Sequence, residues 1–353
     1  MASLPPKKAL SIAFRALTPN RPYHVQWMIT RRCNYRCLGC NVWRMQDEEE
    51  LSTCEIKQGL DALRKIGVLE IVLSGGNPLL RPDIEEIIGY ASRFFITTVY
   101  DNGSIAGSKV EALRKADFVA ISIDSLKPEK NDYIKGVRGS LKKALESVEK
   151  LQKEGVNVAV TPTISQINLN EIVDLTKYFL EKDIPIWYSL YSYDIPNSAH
   201  NPLFEIGKID DAFIIRDNDA MVKLCESIME MKRKNSNILI TTKVLEAVKN
   251  LYLKNKRTWK CRAMKNFFII NHKGEVSGCH LHQPVASIFE LPKIWKTPKL
   301  NALRKTYSQC KKCTYLCYIF YSLHGSVYGN IQIAKDRWRS AKLFLKRGSK
   351  AHF

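Results

Sequence analysis

The chain has 353 residues, 45% of them hydrophobic and 25% charged, a balance that is typical of globular proteins and excludes a low-complexity chain. No apolar run approaches the length of about 18 residues that a membrane span needs. The apolar stretch after Lys7 and Lys8 is short and is interrupted by Arg15, so it does not make a convincing signal peptide and we expect none. The 55 lysines and arginines outnumber the 35 acidic residues, which gives a net charge of +20. This excess predicts attraction to nucleic acid, a membrane surface or a phosphorylated substrate, unless it serves solubility alone.

Strand and helix signals alternate after an N-terminal appendage at 1–22. Near-continuous apolar runs predict six strands, at 24–30, 69–74, 95–100, 118–123, 157–164 and 184–191. Amphipathic segments predict the helices between them, at 53–65, after Pro82, at 108–115, at 140–154 and at 170–182. This alternation indicates a parallel sheet covered by helices. The predicted fold class is therefore α/β, with six units forming a partial (β/α)6 barrel rather than a closed eight-fold one.

The pattern changes after the sixth strand. A long polar connection at 194–219 is followed by predicted helices at 220–234 and 243–253, and then by a segment rich in cysteine and aromatic residues. We expect three further divisions, namely the barrel at 23–255, a small C-terminal Cys-rich α+β domain at 256–322 and a basic amphipathic tail helix at 323–353.

The tail has apolar residues at helical spacing and basic residues elsewhere. The apolar stripe consists of Ile331, Ala334, Trp338, Ala341 and Leu345. Such a helix either docks on the barrel with its basic face in water or makes a peripheral contact with an anionic membrane. We expect a cytoplasmic protein without a transmembrane segment, and the tail leaves peripheral membrane contact open.

Three cysteines follow the first predicted strand directly. Cys33, Cys37 and Cys40 have the spacing C-x3-C-x2-C, so one tight loop can direct three thiolates to one point. Three ligands are one fewer than a closed tetrahedral site has, and thiolates suit iron–sulfur clusters as well as zinc. A cubane held by three cysteines leaves one iron open to another ligand. A three-ligand zinc site and three unrelated cysteines are the alternatives.

Polar residues and glycines follow the ends of later strands. In a parallel barrel these strand ends lie on the same face as the cysteine loop. The second strand ends in Gly75, Gly76, Asn77 and Pro78, and two glycines allow the backbone to approach a ligand closely. Ser122 and Asp124 share one face at the end of the fourth strand. The fifth strand contributes Thr163 and, after it, Asn168. We interpret these residues as candidate cofactor contacts, against the alternative that they are polar ends of core strands.

A second cysteine group lies near the C-terminus and consists of Cys261, Cys279, Cys310, Cys313 and Cys317. The segment 271–274 between two apolar stretches predicts a hairpin turn, which would bring Cys261 and Cys279 together. Cys310 and Cys313 would complete four ligands, and Cys317 is a spare or replacement ligand. A structural zinc site with four cysteines is the alternative.

The first cysteine spacing resembles the cluster motif of the radical S-adenosylmethionine (SAM) enzymes, in which the open iron of a [4Fe–4S] cluster binds SAM. The segment 75–78 resembles the family's G-G-E-P motif, and Ser122, Asp124, Thr163 and Asn168 lie in stretches similar to its later strand-end patterns. The second cysteine group resembles the auxiliary-cluster domains called SPASM and Twitch. With five cysteines the resemblance implies one auxiliary [4Fe–4S] cluster, the Twitch arrangement. Gly39, where many members have an aromatic residue, and Asn77, where they have Glu, depart from the pattern.

The resemblance implies reductive cleavage of SAM to a 5′-deoxyadenosyl radical, which abstracts a hydrogen atom from an unactivated C–H bond. No further catalytic residue is assigned beyond the cluster. A flavodoxin- or ferredoxin-type electron donor is the implied partner, and a small molecule or lipid head group is the first choice of substrate. Peptide modification is the second choice, and RNA modification, motivated by charge alone, is the third. A non-catalytic iron–sulfur or zinc protein is the alternative of another class.

Overall fold

A computed structural model describes residues 22–44, 49–191, 212–311 and 314–324, and its centre is a parallel sheet. The first five strands are β1 (His24–Thr30), β2 (Glu70–Gly75), β3 (Ile96–Asp101), β4 (Phe118–Ile121) and β5 (Val158–Val160). They pair in sequence order and in parallel, with Trp27 opposite Leu73 and Leu73 opposite Val99. Alternation along each strand sends Trp27, Leu73 and Val99 into the layer of helices, where they are fully buried.

Helices cover the outer face of this sheet. They are α1 (Thr53–Ile66), α2 (Ile84–Ala91), α3 (Val110–Leu113), α4 (Pro128–Lys135), α5 (Ser140–Lys153) and α6 (Ile172–Glu181). The first begins at a capping box formed by Ser52 and Glu55 and ends at Gly67, whose φ of 88° places it in the left-handed region. Five of the six correspond to predicted helices, whereas α4 was not predicted.

The fifth and sixth predicted strands are shorter and more broken than expected. The fifth is divided at Pro162 into β5 and β6 (Thr163–Ile164), and the sixth is reduced to β7 (Ser189–Leu190) with a bridge at Ile186. Proline has no N–H to donate to a ladder, so continuous pairing stops there. β6 and β7 pair in parallel with each other, which continues the barrel wall beyond β5.

The C-terminal part extends the same sheet from the other edge. After α7 (Asn218–Lys234) and α8 (Thr242–Lys254), β8 (Phe267–Ile270) pairs in parallel with β1. β9 (Glu275–Ser277) and β10 (Ala286–Ser287) follow in antiparallel order, and the final helices are α9 (Leu291–Ile294), α10 (Pro298–Gln309) and α11 (Leu316–His324). The predicted hairpin is therefore present, but it is hydrogen-bonded to the barrel. The predicted boundary between 255 and 256 remains a prediction.

Helix α11 closes the gap between the two edges of the barrel. Tyr318 stacks on Phe267 of β8 with ring centroids 4.6 Å apart, and Phe320 packs edge-on against Trp187 at 5.1 Å, just before β7. The predicted α/β class with an open parallel barrel is confirmed. In the described part of the chain, no helix is both long and apolar enough to cross a membrane. The predicted tail stripe and nearly all of the N-terminal appendage lie outside the described residues.

Candidate functional site

The loop that carries Cys33, Cys37 and Cys40 is held by backbone hydrogen bonds on two sides. From β2, the N–H of Asn77 donates to the carbonyl of Arg32 at 2.7 Å. From α4, the carbonyls of Ile134 and Lys135 accept from Leu38 and Arg36 at 3.1 and 3.2 Å. These hydrogen bonds hold the loop between the end of β2 and α4.

Glycines make this close packing possible. A Cβ on Gly76 would lie 2.4 Å from the carbonyl oxygen of Arg32, and one on Gly136 would lie 2.2 Å from that of Arg36. Gly136 also ends α4 in the left-handed region, with φ of 63°. No residue with a side chain fits at either position without moving the cysteine loop.

Burial raises the pKa of all three thiols, that of Cys37 to about 12 and that of Cys40 to about 11. Cys33 and Cys40 each raise the pKa of Cys37 further, which shows that the three sulfurs are neighbours. A metal centre would deprotonate such thiols by coordination. No three His, Cys, Asp or Glu side chains among the described residues converge tightly enough to bind one metal ion. A cubane distributes its thiolates over different irons, so three neighbouring cysteines can each ligate one of them.

Gly39, one of the two departures from the family pattern, lies beneath an aromatic ring. Its own Cβ position would be 2.7 Å from Cε2 of Tyr191, and Tyr191 in turn packs on Phe213 with centroids 5.3 Å apart. The space that an aromatic side chain at position 39 would need is therefore taken by Tyr191, which follows β7.

Asn77, the second departure, is fully buried and its amide is fully used. Its Nδ2 donates to Asn34 and Asn102 at 3.2 Å and to Ser104 at 3.3 Å, while its Oδ1 accepts from the N–H of Leu79. The amide thus ties the cysteine loop to the ends of β2 and β3. A carboxylate in the same place would lose these donations.

Asp101, at the end of β3, is a site residue that the sequence reasoning missed. It is 5% exposed, its Oδ1 accepts from the N–H of Gly103 at 2.6 Å, and its Oδ2 has no hydrogen-bond partner among the described residues. Burial raises the pKa of this carboxyl to about 7. Asp101 raises the pKa of Cys33, so a buried acidic group stands next to the cysteine loop. Its position directly before Asn102 and Gly103 at a strand end was the available signal.

Ser122 and Asp124 lie together, as predicted, but both contact a lysine that the sequence reasoning also missed. Lys135 Nζ lies 2.7 Å from Asp124 Oδ2 and donates to Ser122 Oγ at 2.6 Å, and the side chains of Asp124 and Lys135 are 5% and 6% exposed. Burial alone would lower the pKa of Lys135, but Asp124 and the nearby thiols outweigh it and hold the pKa above its ordinary value. A buried positive charge therefore faces the cysteine loop.

Thr163 and Asn168 belong to the same strand ends. The N–H of Thr163 donates to Asp124 Oδ1 at 2.7 Å. Asn168 is fully buried, and its Nδ2 donates to the carbonyls of Asp124 and Thr163 at 2.8 and 2.9 Å. These are the contacts of a residue that positions the strand ends, and direct cofactor contact by Asn168 remains a prediction.

The second cysteine group is only partly brought together. Cys261 and Cys279 both raise the pKa of Tyr307, and Cys310 lies one helical turn after Tyr307, at the end of α10. Cys317 lies on the face of α11 that lines the inside of the barrel, where it raises the pKa of Tyr100. Cys313 lies outside the described residues. The assignment of these five cysteines as ligands remains a prediction.

A cavity of about 440 Å³ lies inside the barrel. Tyr191, whose ring covers Gly39 of the first loop, lines one part of it. His280, which follows Cys279, and Cys317 line another part. Burial lowers the pKa of His280 to about 3, so its imidazole is neutral at physiological pH. The sequence reasoning could not identify this cavity, because inner and outer strand residues come from distant parts of the chain.

Two family models match the chain. The model of the radical SAM superfamily matches residues 27–179, and that of an iron–sulfur cluster-binding domain, SPASM, matches residues 261–314. An open parallel barrel with three cysteines after its first strand and a cysteine-rich region at its edge defines a class of iron–sulfur enzymes. The chain belongs to the radical SAM superfamily and carries a SPASM-type domain. It is therefore a radical SAM enzyme with SAM and iron–sulfur clusters as cofactors.

Several known proteins are similar to this chain. The AdoMet-dependent heme synthase of Methanosarcina barkeri is 27% identical over 84% of this chain and 89% of its own length. The Fe-coproporphyrin III synthase of the same organism is 32% identical over 46% of this chain, and the match spans only 42% of that relative. The structure of Streptococcus suis SuiB bound to precursor peptide SuiA matches with a TM-score of 0.62 at 17% identity, over 92% of this chain and 75% of that one. The last likeness is one of fold.

Proposed function

We propose that the protein cleaves SAM reductively and modifies an unactivated C–H bond of a small molecule bound in the barrel cavity. The observation that carries this proposal is the position of the cavity, which borders the first cysteine loop through Tyr191 and the second cysteine group through His280. A substrate there would lie between the two proposed clusters. The bound clusters and SAM supply the one-electron chemistry that removes a hydrogen atom from the substrate.

The protein's own residues would hold these groups. Cys33, Cys37 and Cys40 would ligate the first cluster, and the backbone at Gly75 and Gly76 would allow close approach of SAM, with Asn77 and Pro78 completing that strand end. Lys135, held in place by Asp124 and Ser122, would attract the SAM carboxylate. Thr163 and Asn168 would keep this arrangement fixed.

The second cluster would be ligated by Cys261, Cys279, Cys310 and Cys313. This second cluster would exchange an electron with the substrate or bind it. An intracellular flavodoxin- or ferredoxin-type protein would deliver the electron that starts the reaction. The division into a barrel at 23–255 and an auxiliary domain at 256–322 belongs to this proposal.

The size of the cavity bears on the class of substrate. The cavity volume of about 440 Å³ favours a small molecule or a head group over a folded macromolecule. Peptide modification is the second candidate, since the fold is shared with a structure that contains a precursor peptide. In that case a single side chain would enter the cavity while the rest of the peptide stays outside.

Anaerobic reconstitution of the full chain tests the function. Two four-iron clusters require about eight irons per chain, and reduction in the presence of SAM should release 5′-deoxyadenosine. Variants with Cys33, Cys37 and Cys40 replaced by Ala should lose about four irons and all SAM cleavage. Cys54→Ala, which changes an exposed thiol outside both groups, is the matched control and should behave as wild type. Full iron content without any 5′-deoxyadenosine would contradict the proposal.

A further inference from the structure

The residues that line the barrel cavity differ in charge from the strongly basic chain as a whole. None of the 55 lysines and arginines lines it within the described residues, and its one acidic residue is Glu70. The rest of the wall consists of aliphatic and aromatic side chains, hydroxyls, one amide, a thiol and two histidines. Among the described residues, the basic side chains that give the chain its net charge of +20 therefore do not line this cavity.

Glu70 is held in a defined orientation at the start of β2. Its side chain is 19% exposed, and its Oε2 accepts from the hydroxyl of Tyr321 at 2.6 Å and lies 3.4 Å from His24 Nδ1. The His24 ring stacks on that of Tyr321 with centroids 4.1 Å apart. All three residues line the cavity. Two elements far apart in sequence, β1 and α11, thus fix one carboxylate in the cavity wall.

A carboxylate in a largely apolar cavity selects strongly by charge. Interactions between charges are several times stronger there than in water, because the surroundings screen them less. An anionic group near Glu70 would be repelled and would lose its hydration without compensation. A cationic group would donate a charge-assisted hydrogen bond to the same carboxylate, which can accept from more than one donor.

We infer that the cavity takes a substrate with an ammonium head, which binds Glu70. This inference rests on the proposed function and narrows its substrate to amines. It also excludes a phosphate or carboxylate head group from this end of the cavity. Glu70 is the specificity-determining residue, and Tyr321 and His24 are positioning residues that orient it.

The position of Glu70 also sets the length of the substrate. Glu70 is the first residue of β2 and Gly75, beside the cysteine loop, is the last. The two residues are five positions apart, which corresponds to roughly 16 Å along the strand at about 3.3 Å per residue. An amine bound at Glu70 would therefore present to the radical a C–H bond that is roughly that far from its nitrogen. Short amines would bind without reaching the reacting position.

Calorimetry on the anaerobically reconstituted full-length protein tests the inference with two probes of equal chain length, n-octylamine and octanoate, at neutral pH. We expect octylamine to bind at least about tenfold more tightly than octanoate, the effect of a single charge-assisted contact. Glu70→Gln should remove most of this preference, since Gln can still accept from Tyr321 but carries no charge. Glu85→Gln makes the same change of net charge on the exposed end of α2, in a residue paired with Lys115, and should leave the preference intact.

Tyr321→Phe provides a second test that does not depend on the folding of the Glu70 variant. It retains the carboxylate, so the preference for octylamine should persist although its absolute affinity changes. Equal binding of both probes to the wild type, or an unchanged preference in Glu70→Gln, would overturn the inference. If the wild-type protein releases 5′-deoxyadenosine but does not discriminate between the probes, the amine inference alone is overturned. Wild type that discriminates but never cleaves SAM contradicts the proposed function alone.

Discussion

Lys135 Nζ lies 2.7 Å from Asp124 Oδ2, and both side chains are almost completely buried next to the cysteine loop. The two residues come from different elements, the end of α4 and the turn after β4. Removing one partner of a buried ion pair leaves an unpaired charge, which typically costs about 3–5 kcal/mol. We expect Lys135→Met to lose about 3 kcal/mol of unfolding free energy. Urea unfolding of wild type and variant side by side measures this difference.

A double variant is the control for this prediction. Asp124→Asn combined with Lys135→Met removes both charges, so the pair should lose less stability than the sum of the two single changes. Additive losses would show that the ion pair does not stabilise the fold. Lys130→Met, which removes a lysine paired with Glu171 farther from the loop, should leave SAM affinity unchanged while Lys135→Met lowers it about tenfold. Equilibrium binding of SAM to the reconstituted proteins compares the two.

Gly76→Ala should disturb the cysteine loop directly. The new methyl group would lie 2.4 Å from the Arg32 carbonyl oxygen, and that atom is backbone and cannot rotate away. We expect this variant to retain less than half of the iron of the first cluster and to bind SAM at least about tenfold more weakly. Iron analysis and SAM titration are the measurements.

Gly89→Ala is the matched control, because its Cβ in α2 would meet only Lys115 Cδ, at 3.5 Å. Glycine in a helix is less favourable than alanine by about 0.5–1 kcal/mol, so this change should stabilise the protein slightly and leave its iron content unaffected. Equal iron content in both variants would show that the close approach at Gly76 has no role in holding the loop.

Gly39→Phe should disturb the cysteine loop unless the ring of Tyr191 is removed as well. The ring of Tyr191 lies 2.7 Å from the position of a Cβ at residue 39, so any larger side chain must displace either the ring or the loop. We expect Gly39→Phe to lower the iron content and Gly39→Phe with Tyr191→Ala to restore most of it. Recovery of iron in the double variant identifies steric overlap as the cause, whereas an equally poor double variant would contradict it.

Structural features that depend on local sequence could be predicted, whereas those that depend on long-range contacts could not. Apolar runs located β1 to β4, and the sequence at 271–274 predicted the hairpin between β8 and β9, because both signals are local. The helix that supplies Lys135 was missed because few of its residues are buried, only Asn131, Ile134 and Lys135. The pairing of β8 with β1 joins His24 to Phe267, and no local pattern encodes such a contact.

Only part of the candidate site could be predicted from the sequence. Cysteine spacing and strand-end motifs identified the loop and its neighbours, because their chemistry depends on residue type and order. Whether Asp124 faces a ligand or a lysine depends instead on tertiary contacts, and here Lys135 approaches it from another element. Likewise the spacing of Cys317 does not reveal that this residue lines the cavity from α11.

Glu171 should make stability depend on acid pH. Partial burial would raise its pKa, but hydrogen bonds from Lys127, Lys130 and Ser125 outweigh this and hold it at about 2. The pKa in the folded state is thus below that of the unfolded chain, so the unfolded state binds the proton more readily. The stabilisation is complete above the ordinary Glu pKa of about 4.3 and is lost as the pH falls from there through 2.

Glu171→Gln should therefore be less stable than wild type at pH 7, by about 1 kcal/mol, since Lys127 is largely exposed and water screens its contribution. Near pH 2 the difference should shrink towards zero, because the wild-type carboxyl then becomes protonated. Glu85→Gln is the control, because the fully exposed pair with Lys115 should contribute little at any pH. Urea unfolding of the three proteins between pH 2 and 7 measures these differences, and a Glu171 effect that stays constant over this range would contradict the assignment.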